Sequence, residues 1–238
     1  IRWTLRGTGL PKNHLMVLDL LANNNWKRPV YFASTTGLSS YVGLEDYFQV
    51  EGLTYRLVPI KNPRQGSIIW RVGTDQMYAS MMELFEFGNM NQPGIYLDET
   101  NRRMAMNLRS NFGRLAQTLI REGKRKEALQ VCDRCLEELP DEKVPYDYFS
   151  LTIAEVYLEA GELEKGNAIF DRAIDHLEEQ LEFYHRFTGA HAEKYDFDKR
   201  QNLALLQRII QVTSRYQQQE IEDRANGIFE EFLDRADY

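Results

Sequence analysis

No apolar stretch in this sequence approaches the roughly 18–20 residues that a membrane-crossing helix needs. The longest candidate, Leu15 to Ala22, is interrupted by Asp19. The start is polar and carries Arg2 and Arg6, so a signal-peptide pattern is missing too. The chain opens on Ile1 rather than Met, which predicts a fragment or a processed chain; if the parent protein has a targeting or a spanning element, it has been cut away. Glycine-rich phosphate loops and the strained serine turn of hydrolases are absent, which removes the usual support for nucleotide binding and for serine chemistry. Only two cysteines occur in 238 residues, Cys132 and Cys135. A redox C-x-x-C opens a helix, where the dipole lowers the thiol pKa. This one falls in mid-helix, without a second pair to complete a zinc site, so two buried thiols packing as small hydrophobes are expected. His185 and His191, with Glu182 and Glu193, match no metal spacing. Neither a metal nor a cofactor is expected.

Charge of one sign is short at each end. Residues 1–75 carry nine Lys or Arg against five Asp or Glu, whereas the remainder carries 20 against 31, for a net charge of −7 overall. A mildly basic head on an acidic tail lacks the concentrated basic face that phosphate contacts need, so nucleic acid is excluded as the main partner.

What is present is helical repetition. Residues 107–140 read as one tetratricopeptide (TPR) unit, two antiparallel helices joined at Gly123. Its packing positions fall on Phe112, Leu115, Ala116, Leu119, Ala128, Cys132 and Cys135, and Pro140 stops the second helix. The first helix is expected to begin as early as Glu99. A second unit over 146–178 repeats the pattern, with Gly161 at the turn and Ile153, Ala154, Tyr157, Phe170 and Ala173 on the same markers. Its glycine comes four residues later than a period of about 34 allows, and Asp141 to Pro145 is the natural place for the insertion. After an irregular excursion from His185 to Asp198, an atypical final helix pair is expected over 199–236, without a glycine at its turn.

Ahead of the repeats, residues 1–93 are expected to form a small α/β head, followed by a helical domain over 94–238. The fold class is therefore α+β, mostly α. Within the head, Leu15, Met16, Leu18, Leu21 and Ala22 predict a helix capped by Asn13 and ended at Asn23–Asn25. Strands are expected over 28–33, 52–60 and 68–72, with a short helix over 44–50 as a crossover and a loop over 62–66. An amphipathic helix should run from Asp75 to Phe87, with Met77, Met81, Leu84 and Phe85 on one face.

Stacked TPR units line a groove with the first helix of each pair. By repeat position Ser110, Gly113, Gln117, Ile120 and Arg121 should face it, joined by Tyr148, Leu151, Glu155 and Leu158. The groove would hold a peptide or an extended partner segment, or be filled by the final helix pair or the head. The mixture of Arg121 with Glu155 and Glu159 is unlike a basic clamp for a terminal carboxylate. In the head, Trp26 beside Lys27 and Arg28 would either stack on a sugar ring or a peptide, or plug the space between helix and strand, the reading favoured here. Glu45, Asp46, Glu51 and Arg56 suggest an internal ion-pair network more than an acid–base pair, which needs a set separation.

Three blocks carry a resemblance, LDLLANNNWKRPVYFA (18–33), GLEDYFQVEGLTYRLVPIK (43–61) and GIYLDETNRRMAMNLR (94–109). They resemble the soluble carboxy-terminal, TPR-containing region of bacterial polytopic membrane proteins similar to protein O-mannosyltransferases. The resemblance implies a periplasmic domain of an inner-membrane protein, with a cytoplasmic location as the alternative. Catalytic acids would belong to the membrane part, and none is carried onto this chain. The implied function is a non-catalytic interaction or acceptor-recognition domain. Its partner would be a protein or peptide, the membrane portion of the same chain, or a glycan acceptor. The alternatives are a stand-alone TPR scaffold, or a glycan-processing enzyme with its site at Trp26, Arg28, Glu51 and Arg56.

Overall fold

Phe48–Glu51 (β2) and Thr54–Leu57 (β3) form the hairpin at the centre of the amino-terminal unit. Gly52, at φ +67°, makes the turn between them, a conformation that only glycine reaches without strain. The helix expected over 44–50 is thus replaced by one 3₁₀ turn, Glu45–Tyr47, and a strand. Phe48 and Val50 lie opposite Leu57 and Tyr55, and this apolar pairing is worth more in a sheet than the helical spacing was alone. Tyr31–Ala33 (β1) adds antiparallel to β3, and Arg71–Val72 (β4) adds parallel to β2, giving the order β1-β3-β2-β4. The sheet is therefore mixed. This computed structural model describes residues 1–5, 9–62 and 71–236; the loop expected over 62–66 and the start of the strand expected over 68–72 lie largely outside them.

One sheet face holds an aromatic cluster. Phe48 sits 4.9 Å from Phe32 and 5.0 Å from Tyr41, and stacks on Tyr55 at 5.8 Å. Met77 and Met81, both fully buried, come from Thr74–Ala79 (α2) and the π turn Ser80–Leu84 that prolongs it. The π turn adds a residue to the helical winding, so Leu84 rotates out to 72 % exposure and leaves the expected face. Phe85 lies directly over Gly52, where a Cβ would stand 2.9 Å from its ring. Helix Lys12–Asn24 (α1) forms where expected, with Pro11 rather than Asn13 in the capping position. Among the described residues nothing buries it fully: Leu15, Met16 and Leu20 stay about half exposed or more.

The chain divides into units Ile1–Phe85 and Glu86–Tyr238. The second contains Glu99–Arg121 (α3), Arg125–Glu138 (α4), Tyr148–Glu159 (α5), Leu163–His185 (α6), the single turn Ala190–Glu193 (α7), Asp196–Arg215 (α8) and Gln219–Ala236 (α9). With the small sheet this makes the protein α+β, mostly α. The long helices pair as α3–α4, α5–α6 and α8–α9, and α3 packs along α5 as extensively as along its own partner. Gly113 permits that approach, since a Cβ there would lie 3.0 Å from Thr152.

All three hairpins turn in the same way. The N–H groups of Gly123, Gly161 and Gln217 donate to carbonyls three residues back, and those of Lys124, Glu162 and Gln218 to carbonyls five residues back. That is the Schellman ending, and the second residue of each pair stands immediately before the next helix. Gln217 holds φ +58° where its counterparts are glycine. The last pair departs from the stack elsewhere: α8 lies mainly on the long α6 and touches α5 only lightly.

Candidate functional site

The first-helix face separates into an open part and a closed part. Ser110, Gln117 and Ile120 are half-buried on α3, and Arg121 and Tyr148 are exposed. Leu151 and Glu155, expected to line the same open groove, are buried instead. Arg208 and Arg215 on α8 explain this, reaching the Glu155 carboxylate oxygens at 2.7 and 2.8 Å. Leu158 is buried too, and Gly113 is taken up by its contact with α5. The sequence could not pair Glu155 with cations 53 and 60 residues away.

Arg109 was also missed, although it organises the connection between the first two hairpins. It is the largest side chain completely removed from solvent. Its Nη1 donates to Pro145 O at 3.0 Å and Asp147 Oδ1 at 3.2 Å, and its Nη2 donates to Leu139 O and Val144 O at 3.0 and 2.6 Å. The guanidinium also lies 5.5 Å from the Tyr146 ring centre. Asp147 caps α5 in a capping box with Ser150, so Arg109 ties the middle of α3 to the start of α5 across the inserted residues. The signal was available: Arg109 interrupts the buried stripe Ala105, Phe112, Ala116.

Cys132 and Cys135 are buried and free on α4. Burial pushes the Cys135 thiol up to about 12, and raises Cys132 well above its ordinary value, so neither is a nucleophile near neutral pH. On the outer face a cleft of about 530 Å3 runs between α4 and α6. Its polar groups serve one another: Asp133 accepts from Tyr157 and Lys165, each at 2.6 Å, and Asp141 accepts from Arg172 and meets His176. His185 places its ring against Phe232 at 5.1 Å, and Tyr184 stacks on Tyr195 in the excursion between α6 and α8.

Of the four head residues grouped as an enzymatic alternative, Glu51 and Arg56 pair with each other, and Trp26 and Arg28 lie in the turn after α1. Glu51 is buried on the sheet face away from the aromatic cluster. There it accepts from the Tyr31 hydroxyl at 3.0 Å and Gln49 Nε2 at 2.6 Å, and it pairs with Arg56 at 3.4 Å. Burial, then the hydrogen bond to Glu51, raises the Tyr31 pKa. In the turn after α1, Asn25 and Trp26 both have positive φ. Trp26 is 51 % exposed, so the core-plug reading fails.

A different concavity exists in this unit. Residues 2–5, the beginning of α1, the 3₁₀ turns and Lys61 enclose about 560 Å3. Trp3 is fastened in its wall by an indole N–H donated to Val42 O at 3.0 Å, and Tyr47 by a hydroxyl donated to Arg2 O at 2.7 Å. Glu45, Asp46, Arg2 and Lys61 also line it, with Asp46 and Lys61 3.5 Å apart.

The class these observations define is a small mixed-sheet unit followed by a stack of helical hairpins. Among the described residues no group of three or more His, Cys, Asp and Glu stands ready for a metal ion, and no helix is long and apolar enough to cross a membrane. Residues 1–76 match the family described as TMEM260-associated domain 2. The match takes in the blocks 18–33 and 43–61 but not 94–109, and it points to no bacterial source in particular. Compared with curated proteins and with solved structures, the chain has no match.

Proposed function

We propose that this chain is a non-catalytic interaction or acceptor-recognition domain associated with a membrane glycosyltransferase-like protein. The observation that carries the reading is the side-by-side packing of α3 and α5, with Ser110, Gln117, Ile120, Arg121 and Tyr148 accessible and α8 closing the face at Glu155. Parallel first helices are the arrangement with which TPR-like stacks hold an extended protein segment. The occupant would be a protein or peptide, or the membrane portion of the same protein. The match of residues 1–76 supports the glycosyltransferase association. In such a protein the domain would sit on the side where a lipid-linked sugar donor is used, the periplasm in a bacterium. Glu51 is spent on Tyr31, Gln49 and Arg56, which weighs against acid–base chemistry in the head.

The test is a peptide-array screen of the 238-residue chain, repeated with Gln117→Ala and Tyr148→Ala. Hits weakened about tenfold or more by both changes would support the groove. Hits unaffected by either change would move the site elsewhere.

A further inference from the structure

The cavity of about 560 Å3 in the amino-terminal unit has the features of a ligand site that none of the preceding readings uses. Its volume falls in the range of small-molecule sites, roughly 300–1,000 Å3. Among the described residues its wall carries two carboxylates, Glu45 and Asp46, two cations, Arg2 and Lys61, and His14, whose ring nitrogen lies 2.6 Å from Ser39 O. Among the described residues, neither Glu45 nor Arg2 makes a side-chain hydrogen bond or ion pair, although Glu45 is half-buried. Trp3 stands on the backbone of Gly43, where a Cβ would meet its ring at 3.7 Å, and the Val42 carbonyl holds its indole N–H. The ring is thus oriented before anything binds.

These features select among ligand classes. A phosphate or polyanion would meet the two carboxylates, and a polyamine would meet the two cations. A single amino acid carries one ammonium and one carboxylate, so it would match one carboxylate and one cation of the wall and leave the other two to each other. A neutral polyhydroxy ligand fits all three constraints. Each hydroxyl both donates and accepts, so it uses carboxylates and cations together, and the apolar face of a pyranose packs on an aromatic ring. We infer that this cavity is a binding site for one or two neutral sugar units, with Trp3 as platform, Glu45 and Asp46 as acceptors, and Arg2 and Lys61 as donors. The inference does not rest on the helical groove, whose residues all lie beyond it in sequence.

The experiment follows the three Trp indole N–H signals of the 15N-labelled chain during titration with methyl glycosides of glucose, galactose, mannose and N-acetylglucosamine, with inorganic phosphate and glycine as charged probes. Trp3→Phe identifies the Trp3 signal. At least one glycoside should move that signal saturably, with a Kd on the order of millimolar. Glu45→Gln and Lys61→Met should each weaken binding about tenfold, while Trp26→Ala leaves it unchanged. Both lining variants replace exposed or half-buried groups, and an unchanged amide spectrum would verify that they fold. No saturable movement with any glycoside overturns the inference. So does an equal response to phosphate or glycine, or binding that survives both lining variants. Failure here with the peptide screen intact would leave the groove reading standing, and the reverse holds equally.

Discussion

Arg109 sits where the buried face of α3 calls for an apolar side chain, and it is tolerated because four oxygens converge on its fork. Removing one partner of a buried ionic group strands the others, at about 3–5 kcal/mol. Arg109→Met should therefore destabilise the helical unit by about that much in urea titrations, and Arg109→Lys should recover little of it, since an ammonium cannot span the four acceptors. Asp141 provides a pH-dependent counterpart. Burial alone would raise its pKa, but hydrogen bonds from Arg172, His176 and the Tyr146 backbone hold it below the ordinary carboxylate value. A folded pKa below the unfolded value of about 4 means stability that is fully present above that pH and lost as pH falls through the folded pKa. Asp141→Asn should flatten the acid limb of a stability–pH profile, measured as urea midpoints below about pH 5. An equally steep limb would show that the interaction contributes nothing.

At the scale of elements, the shared turn makes the third hairpin a relative of the first two. Gly123 and Gly161 announced two of these turns in the sequence, and Gln217 concealed the third. A side chain held in the left-handed region costs about 1 kcal/mol, which glycine avoids. Gln217→Gly should raise thermal stability by about that amount and Gly161→Ala should lower it similarly, both read from calorimetric midpoints. The misread segment 44–50 teaches the complementary lesson. Its apolar spacing suits a helix turn, but β2 gains its pairing from β3, across a turn that depends on Gly52. Spacing within a short segment cannot register a partner strand.

Across the whole molecule, two cores are built independently, one of aromatic and methionine side chains around the sheet and one of helix-packing residues such as Leu115, Tyr157 and Phe170. A unit with its own core can fold alone. A chain beginning at Glu86 should keep its helical far-UV circular dichroism and unfold cooperatively in urea. A gradual, non-cooperative transition would mean that the helices depend on the head. In α1 the helical spacing predicted the helix correctly, but among the described residues no layer of the head covers its leucines fully.

By itself the sequence determined the helical hairpins, their glycine turns, the proline stop and the buried thiols, because each depends on neighbours within a few turns of the chain. The tertiary structure alone decided that Arg208 and Arg215 close the face at Glu155, that Arg109 anchors the inter-hairpin connection, and that Trp3 and Glu45 share a cavity with Lys61. Those pairings join residues far apart in sequence, and no local pattern records a partner that only packing brings near.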